Sequence, residues 1–573
     1  MVLSSPLNSM KRPCLALAGL TACLALSCAR SQLKKNPTRD TLNRHLSSDP
    51  ATLDPTTTNE ELGLRVEDLI FRPLIGIDAK RHSVPGLAVS WAVSSDGLAY
   101  ELRLDPGARW EDGSPVTSKD VAFTIDRVRD PKVAAANWRP WFDDIVSVET
   151  PDALTAIVRF RRPYAERLLG FSMPVVSASA YARPAEVDRK PVGTGPYRLE
   201  GWVPKQALTL RRREDVPASA YPFAKIVFRI VPDNAVRFQA GTRGELDEFY
   251  ITRDQVPAAQ RSPNFQSRNR LVKAPQFLVV MVVWNCRNPI LADVRVRRAL
   301  AMAWPRADIA KRLYPPEGAT LVSGPYPPGA PENAPDIQPP PYDPQASGRL
   351  LAEAGLKAGT DGFRRRGGHR VSLEFLYTTL SPIYRSLAEI LHEAYAKIGV
   401  ELVLRPLDWA AYVQRFSAGE FDAAPWAETP LPPKVDPYSS YHSSQKPPNG
   451  QNTGYYRNPE ADRAMEAAQR EMNDTKRLEL LRQVHRLLAA DPPADFLWDA
   501  DQYWGISKQI EGVETSPIGL FHFLPGPLAW RPAIRRRQAG TRFPDVPVDQ
   551  TGLLARDNIG LETLTLRQSE GCR

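Results

Sequence analysis

The sequence predicts a mixed protein of the α/β or α+β class with more than one lobe, and three observations carry that reading. Its 573 residues are about four times a typical domain, enough for a large core. Segments with strand alternation and segments with helical periodicity follow one another along the same chain. Its 55 prolines are roughly twice ordinary usage, which implies long stiffened loops and argues against a helical bundle. At 42% hydrophobic and 24% charged residues, the chain is neither disordered nor fibrous. The 74 basic and 65 acidic residues are interspersed. The net charge of +9 therefore marks a mixed solvated surface, and no nucleic-acid partner is expected.

The first element is an export signal. Lys11 and Arg12 precede an apolar stretch from Cys14 to Leu26, broken only by Gly19 and Thr21, and small residues follow. The stretch is too short for a membrane-spanning helix, which needs about 20 residues. Met10 is an alternative start. The segment resembles a bacterial lipoprotein signal, in which the cysteine after the cut receives lipid. Leu20-Thr21-Ala22-Cys23 matches the motif better by residue type, but leaves only nine residues from Cys14 to Ala22. Ala25-Leu26-Ser27-Cys28 keeps the full apolar run, so Cys28 is preferred and Cys23 is the alternative; an ordinary signal with incidental cysteines is the third reading. Residues 1–27 are then the signal and 28–41, with Lys34, Lys35 and Arg39, a tether. Cys286 and Cys572 form no paired framework, and the seven histidines are scattered without ligand spacing. No metal and no cofactor are expected.

Residues 42–46 open the folded part as a strand, and 50–55 form a turn region. Over 61–71, Leu62, Val66, Leu69 and Ile70 share one face and predict a helix. Alternation predicts strands at 100–104 and 156–160, and between them residues 118–129 form a helix after Thr117. Further strands are expected at 207–210 and 226–230. The eight apolar residues 277–284 predict a fully buried strand. Asp293 caps a helix over 294–303, which Pro305 limits. Residues 315–344 hold 11 prolines in 30 positions and predict an irregular loop. Helices follow at 350–354, 383–398 and 476–490, the last with Leu478, Leu481, Val484 and Leu488 on one core-facing stripe. Beyond Pro532 the pattern decays, and residues 535–573 are expected to be a disordered tail.

Several motifs stand in a fixed order. They begin with Leu53-Asp54-Pro55, Val84-Pro85-Gly86-Leu87-Ala88-Val89-Ser90-Trp91 and Ser95-Asp96-Gly97-Leu98-Ala99-Tyr100. Trp110-Glu111-Asp112-Gly113-Ser114-Pro115-Val116, Lys119-Asp120-Val121 and Pro191-Val192-Gly193-Thr194-Gly195-Pro196-Tyr197 follow. Gly244-Glu245-Leu246-Asp247, Asp293-Val294-Arg295-Val296-Arg297-Arg298-Ala299-Leu300, Asp408-Trp409 and Asn452-Thr453-Gly454-Tyr455 complete the series. Physically, Asp96-Gly97 and Asp112-Gly113 suit tight turns. Gly193 and Gly195 suit a bend or a close backbone approach. Over residues 42–530 the ordered set closely resembles the peptide/nickel-type solute-binding proteins of bacterial ABC importers, the family of dipeptide- and oligopeptide-binding proteins.

That resemblance implies a two-lobed periplasmic-binding-protein fold with a hinge and an extra subdomain in the first lobe. Lobe I would comprise 42–60, 191–285 and 495–534, the inserted subdomain 61–190, and lobe II 286–494. In peptide-binding members an aspartate before a proline, shortly after a tryptophan, meets the ligand's α-ammonium. Asp436 before Pro437, with Trp426, are the matching ligand-binding candidates. The spacing from Trp426 to Asp436 is longer than the family's usual one, and Asp-Pro also suits a plain turn. Dipeptide binders place an arginine in a loop corresponding to residues 377–383. Here that loop has no cation, which favours a longer peptide or a non-peptide ligand such as a metal chelate, haem, an opine or a sugar.

The function expected is thus a monomeric, lipid-anchored binding component in the periplasm or at the cell surface, serving an ABC permease and ATPase, with no catalytic residue. A sensor of the same fold is a second reading. An exported hydrolase using Asp247, Glu248, Asp408 or Asp422 is a third, which the lack of a GxSxG motif disfavours. Mass spectrometry of the mature N-terminus should find a diacyl- or triacylglyceryl cysteine at Cys28, or secondarily Cys23; a free N-terminus at another residue type would remove the anchor.

Overall fold

A computed structural model describes residues 40–58, 60–135, 138–182, 187–315, 317–428, 436–447 and 450–533. The export segment with Cys23 and Cys28, nearly all of the tether, and the tail 535–573 lie outside the described residues.

The strand expected first is Thr41–Leu46, and alternation decides what it does. Leu42, Arg44 and Leu46 point to one face and are at most 1% exposed. The strand is central in a seven-stranded sheet ordered Asn269–Ala274, Gln502–Ser507, Glu248–Ile251, Thr41–Leu46, Lys225–Ile230, Ala207–Arg212, Tyr197–Val203. It runs parallel to Lys225–Ile230, with Leu42 opposite Ile226. The helix Glu61–Ile70 stands at the start of the range expected for the inserted subdomain. It packs Val66, Leu69 and Ile70 into this sheet's core.

An arginine on the core face of a central strand needs an anion. Arg44 Nε donates to Glu248 Oε2 at 2.9 Å, and Arg65 of the Glu61–Ile70 helix donates to both Glu248 oxygens at 2.8 and 2.7 Å. The Arg44 guanidinium also lies over Phe228, Phe521 and Trp530. Burial pushes the Arg44 pKa down to about 10, against the pull of Glu248. One carboxylate thus joins two neighbouring strands and a helix.

A four-stranded antiparallel sheet, Ala88–Val93, Ala99–Leu104, Thr155–Phe160 and Ile145–Asp152 in spatial order, forms a separate core with Leu102, Val158 and Phe171. The helix Ser118–Arg129 lies on it through Val121, Ile125 and Val128. Thr117 and Asp120 form a capping box, the Asp120 side chain accepting the Thr117 backbone N–H at 2.9 Å. Gly193 and Gly195 sit against the end of the Glu61–Ile70 helix. Gly195 N donates to Ile70 O at 2.6 Å, and a Cβ on Gly193 would stand 2.0 Å from that oxygen, so the motif's glycines serve close backbone approach.

A six-stranded sheet follows in the order Thr320–Leu321, Ala494–Asp499, Val279–Trp284, Ala423–Glu428, Ser372–Thr378, Glu401–Leu407. Val279–Trp284 is buried on both faces: Val280, Val282 and Trp284 belong to one core, Val279 and Met281 to another. This explains its unbroken apolar run. The strand begins two residues later than expected, because Phe277 adopts φ 53°, outside the extended region. The proline-rich stretch also differs from an irregular loop at two points. Thr320–Leu321 pairs with the edge of the Ala494–Asp499 strand, and Pro344 opens the helix Pro344–Glu353 behind the Asp343 cap, where its missing N–H costs nothing.

The chain passes between the two large sheets only at residues 275–278 and 500–501. Among the described residues no helix is long and apolar enough to cross a membrane.

Replacing Glu248 with glutamine would leave two arginines without a full counter-charge. Glu248→Gln should lower unfolding stability by about 3–5 kcal/mol, the usual range for breaking a buried ion pair, measured by denaturant titration.

Candidate functional site

Asp436 resumes the described chain after residues 429–435, which lie outside it, and begins as a helix cap. Its Oδ1 accepts the Tyr438 backbone N–H at 3.0 Å, and Pro437 is the first residue of the helix Pro437–Tyr441. The turn reading of Asp-Pro is therefore realised, but only one oxygen serves it. The other, Oδ2, accepts the Tyr164 hydroxyl at 2.8 Å and Gln469 Nε2 at 3.1 Å.

These donors come from opposite directions. Tyr164 follows the Thr155–Phe160 strand of the four-stranded unit and stacks on Trp141 at 5.6 Å. Gln469 lies on the helix Pro459–Arg470, packed against the six-stranded sheet. Beside them Ala165 N donates to Gln469 O at 3.0 Å, and Glu166 pairs with Arg477 at 2.7 Å. Asp436 thus stands where the four-stranded unit meets the helices of the second sheet. A space of about 20 Å³ remains there, lined by Trp141, Tyr164, Met465 and Leu481 among others, room for about one water.

All three donors to Asp436 are neutral. Burial raises its pKa, while the bonds from Tyr164, the Tyr438 amide and Gln469 oppose the rise. Burial and the Asp436 charge together push the Tyr164 hydroxyl well above its ordinary range, so it stays a donor.

Trp426 sits on the strand Ala423–Glu428 opposite Met281. Its ring stacks on Phe416 at 4.3 Å, and Phe416 stacks in turn on Phe421 at 5.3 Å. It is not among the residues lining the Asp436 space. In this arrangement the two candidates are not brought together.

The carboxylates considered for hydrolysis all have scaffold partners. Asp247 accepts the Asn43 amide at 2.8 Å, and Glu248 holds the two arginines. Asp408 caps the helix Trp409–Ala418. Asp422 accepts Asn288 Nδ2 and the Glu374 amide at 2.7 and 2.8 Å.

Sequence reasoning passed over a larger cavity, of about 110 Å³, between the Glu61–Ile70 helix and residues 522–528. Glu67 and His522 line it. The signal was present: Glu67 shares the buried face with Gly63, Val66 and Ile70, a charged residue where the helix should be apolar.

With this geometry in hand, the comparisons with known proteins are informative. Residues 82–450 match the model of bacterial extracellular solute-binding proteins, family 5, and the chain belongs to that family. A protein of Brucella abortus named for ABC-transporter peptide binding is 28% identical over 466 residues, covering 78% of this chain and 85% of the relative. The oligopeptide-binding protein AppA of Bacillus subtilis is 23% identical over 527 residues, covering 87% and 94%. Its crystal structure with a nonapeptide has a TM-score of 0.74 and covers 87% of this chain and 99% of that one. NikZ of Campylobacter jejuni, solved with Ni(L-His), has a TM-score of 0.74 at 23% identity, covering 86% and 99%. The fold is therefore that of the periplasmic binding proteins, and these relatives are binding proteins rather than enzymes.

Tyr164→Phe removes one donor to a buried carboxyl. Gln469 still satisfies Oδ2, so chemical denaturation should show a loss of about 0.5–1.5 kcal/mol, the net worth of one hydrogen bond.

Proposed function

We propose that this family 5 protein is the lipid-anchored, extracytoplasmic capture component of an ABC importer, working as a monomer. It takes a peptide or peptide-like ligand between two lobes and delivers it to a permease with its ATPase. Asp436 accepts the ligand's α-ammonium, and Trp426, which does not line the space at Asp436, would meet a more distant part of the ligand.

The observation that supports this is the charge state around Asp436. A buried carboxylate among neutral donors lacks a counter-charge, and an ammonium supplies it through a short charge-assisted bond. The ligand would displace the Tyr164 hydroxyl and Gln469 from Oδ2, leaving Oδ1 to cap its helix. Closure then follows from the ligand's preference for the closed state over the open one.

A non-peptide ligand is the second reading. It draws on the cation-free 377–383 loop, where Leu380 is 71% exposed.

Mass spectrometry of the small molecules that co-purify from the native host would identify the ligand, and calorimetry would then test the anchor. Asp436→Asn should weaken an amine-bearing ligand by roughly 30- to several-thousand-fold, the cost of leaving a buried charge unpaired. Asparagine still caps the helix, but its NH2 replaces the Oδ2 acceptor of Tyr164 and Gln469, so the empty protein should lose about 1–3 kcal/mol, which denaturant titration measures separately from affinity. Unchanged affinity would remove Asp436 from the site.

A further inference from the structure

The cavity beside the Glu61–Ile70 helix is built differently from the space at Asp436. Every residue lining it comes from 58–174 or 522–528, and none from the second sheet. Its walls are mainly apolar, with Leu64, Phe71, Trp138 and Phe523 among them. Thr58, Glu67, Asp68, Ser172 and His522 interrupt that surface. Glu67, only 2% exposed, accepts the Thr58 hydroxyl on Oε1, while Oε2 is buried without a hydrogen-bond partner. His522 Nδ1 meets Asp68 Oδ2 at 2.9 Å, and its Nε2 is likewise buried and unpartnered. Two such atoms on one cavity are a cost that a native fold rarely carries without a reason.

The surrounding charge chooses the partner. Asp68, Asp54 and Glu60 all act on Glu67. The nearby arginines are already committed, Arg65 to Glu248 and Arg127 to Asp54, each at 2.7 Å. Glu60 Oε1 accepts the Ala51 amide at 2.6 Å. The site is acidic and apolar-walled. An engineered cavity of about 150 Å³ holds benzene, so this one, of about 110 Å³, suits a chain of about four carbons.

We propose that this cavity binds a small primary ammonium carrying a short apolar chain, with the Glu67 carboxylate as its counter-ion and His522 Nε2 as a second acceptor. When the site is empty, burial holds the Glu67 pKa well above the usual range, with the Thr58 bond opposing and the three carboxylates adding to the rise. The rise favours the protonated Glu67 acid over the carboxylate. Arrival of the cation favours its ionised form, so the proton on Glu67 passes to the buffer as the ion pair forms. The pull of Asp68 raises the His522 pKa despite burial, and any proton on Nε2 leaves by the same route. This site does not rest on the reading of Asp436.

The test is calorimetric titration of the full chain with n-butylammonium chloride, in buffers of differing ionisation enthalpy. Saturable binding is expected with release of about one proton or more, and sodium butyrate and 1-butanol should bind at least about tenfold more weakly. Glu67→Gln, which keeps the shape, should weaken butylammonium by about tenfold or more and remove the proton release assigned to Glu67. Leu64→Trp, at a partly exposed position, should fill the cavity and abolish binding with an unchanged circular dichroism spectrum. The titrations are run in the Asp436→Asn background, where no ammonium held at the amine anchor contributes, so the binding that remains there is that of this cavity and failure here is separated from failure of the anchor. Equal affinity for 1-butanol, full affinity in Glu67→Gln, or loss of binding in Asp436→Asn would overturn the proposal.

Discussion

Only two short backbone crossings, 275–278 and 500–501, join the seven-stranded and six-stranded sheets, and the rest of the architecture depends on that constraint. Each sheet completes its own core, so little covalent structure resists a change of angle between them. On one side of the crossings Phe277 holds φ 53°. Across them Lys273 of the first sheet reaches Asp501 at 3.0 Å and Glu317 at 2.5 Å. Such half-exposed pairs contribute little stability, so they can break and re-form as the halves move. The bonds of Asp436, Ala165 and Glu166 join the four-stranded unit to the helices of the second sheet by a separate set of non-covalent contacts.

The fold's carboxylates fall into two electrostatic groups. Glu248 is held by Arg44 and Arg65, and Asp495 by Arg306 at 2.9 Å. Asp144 is held by Arg167, also at 2.9 Å. The Glu248 and Asp495 pairs tie together elements 183 or more residues apart, the Asp144 pair elements 23 residues apart, and each has its counter-charge within the chain. Asp436 and Glu67 have neutral donors instead; burial raises the pKa of both, as it does that of Asp495 despite Arg306.

What was legible in the sequence was mostly local. The Thr117–Asp120 capping box, the Asp293 cap, the close-approach role of Gly193 and Gly195, and the doubly buried Val279–Trp284 strand all follow from residue type and short spacing. Asp436 was legible only through resemblance, and its cap follows from Asp-Pro. Its other bonds were not, because Tyr164 lies 272 residues away. Glu248 meets Arg44 across 204 residues and Arg65 across 183, and no periodicity reports pairs so distant. Glu67 and His522 belong to the same class: Asp68, next to Glu67, meets His522 across 454 residues. The short strand Thr320–Leu321 was hidden because proline content argues against long strands but not against a two-residue bridge at a sheet edge.

The position of one strand bears on the order in which the molecule can assemble. Gln502–Ser507 lies between Glu248–Ile251 and Asn269–Ala274 in the seven-stranded sheet, so two strands close in sequence are separated by one that comes late. The whole six-stranded sheet is encoded in the interval. A chain emerging N-terminus first must therefore release nearly all of that second half before the first sheet can be completed, and the edge strand Asn269–Ala274, which pairs only with Gln502–Ser507, waits longest. The four-stranded unit has all its strands between Ala88 and Phe160 and closes from near neighbours. Local pairing of that kind is fast and distant pairing is slow, so the unit contributing Tyr164 can be in place while the sheet that carries it is still open.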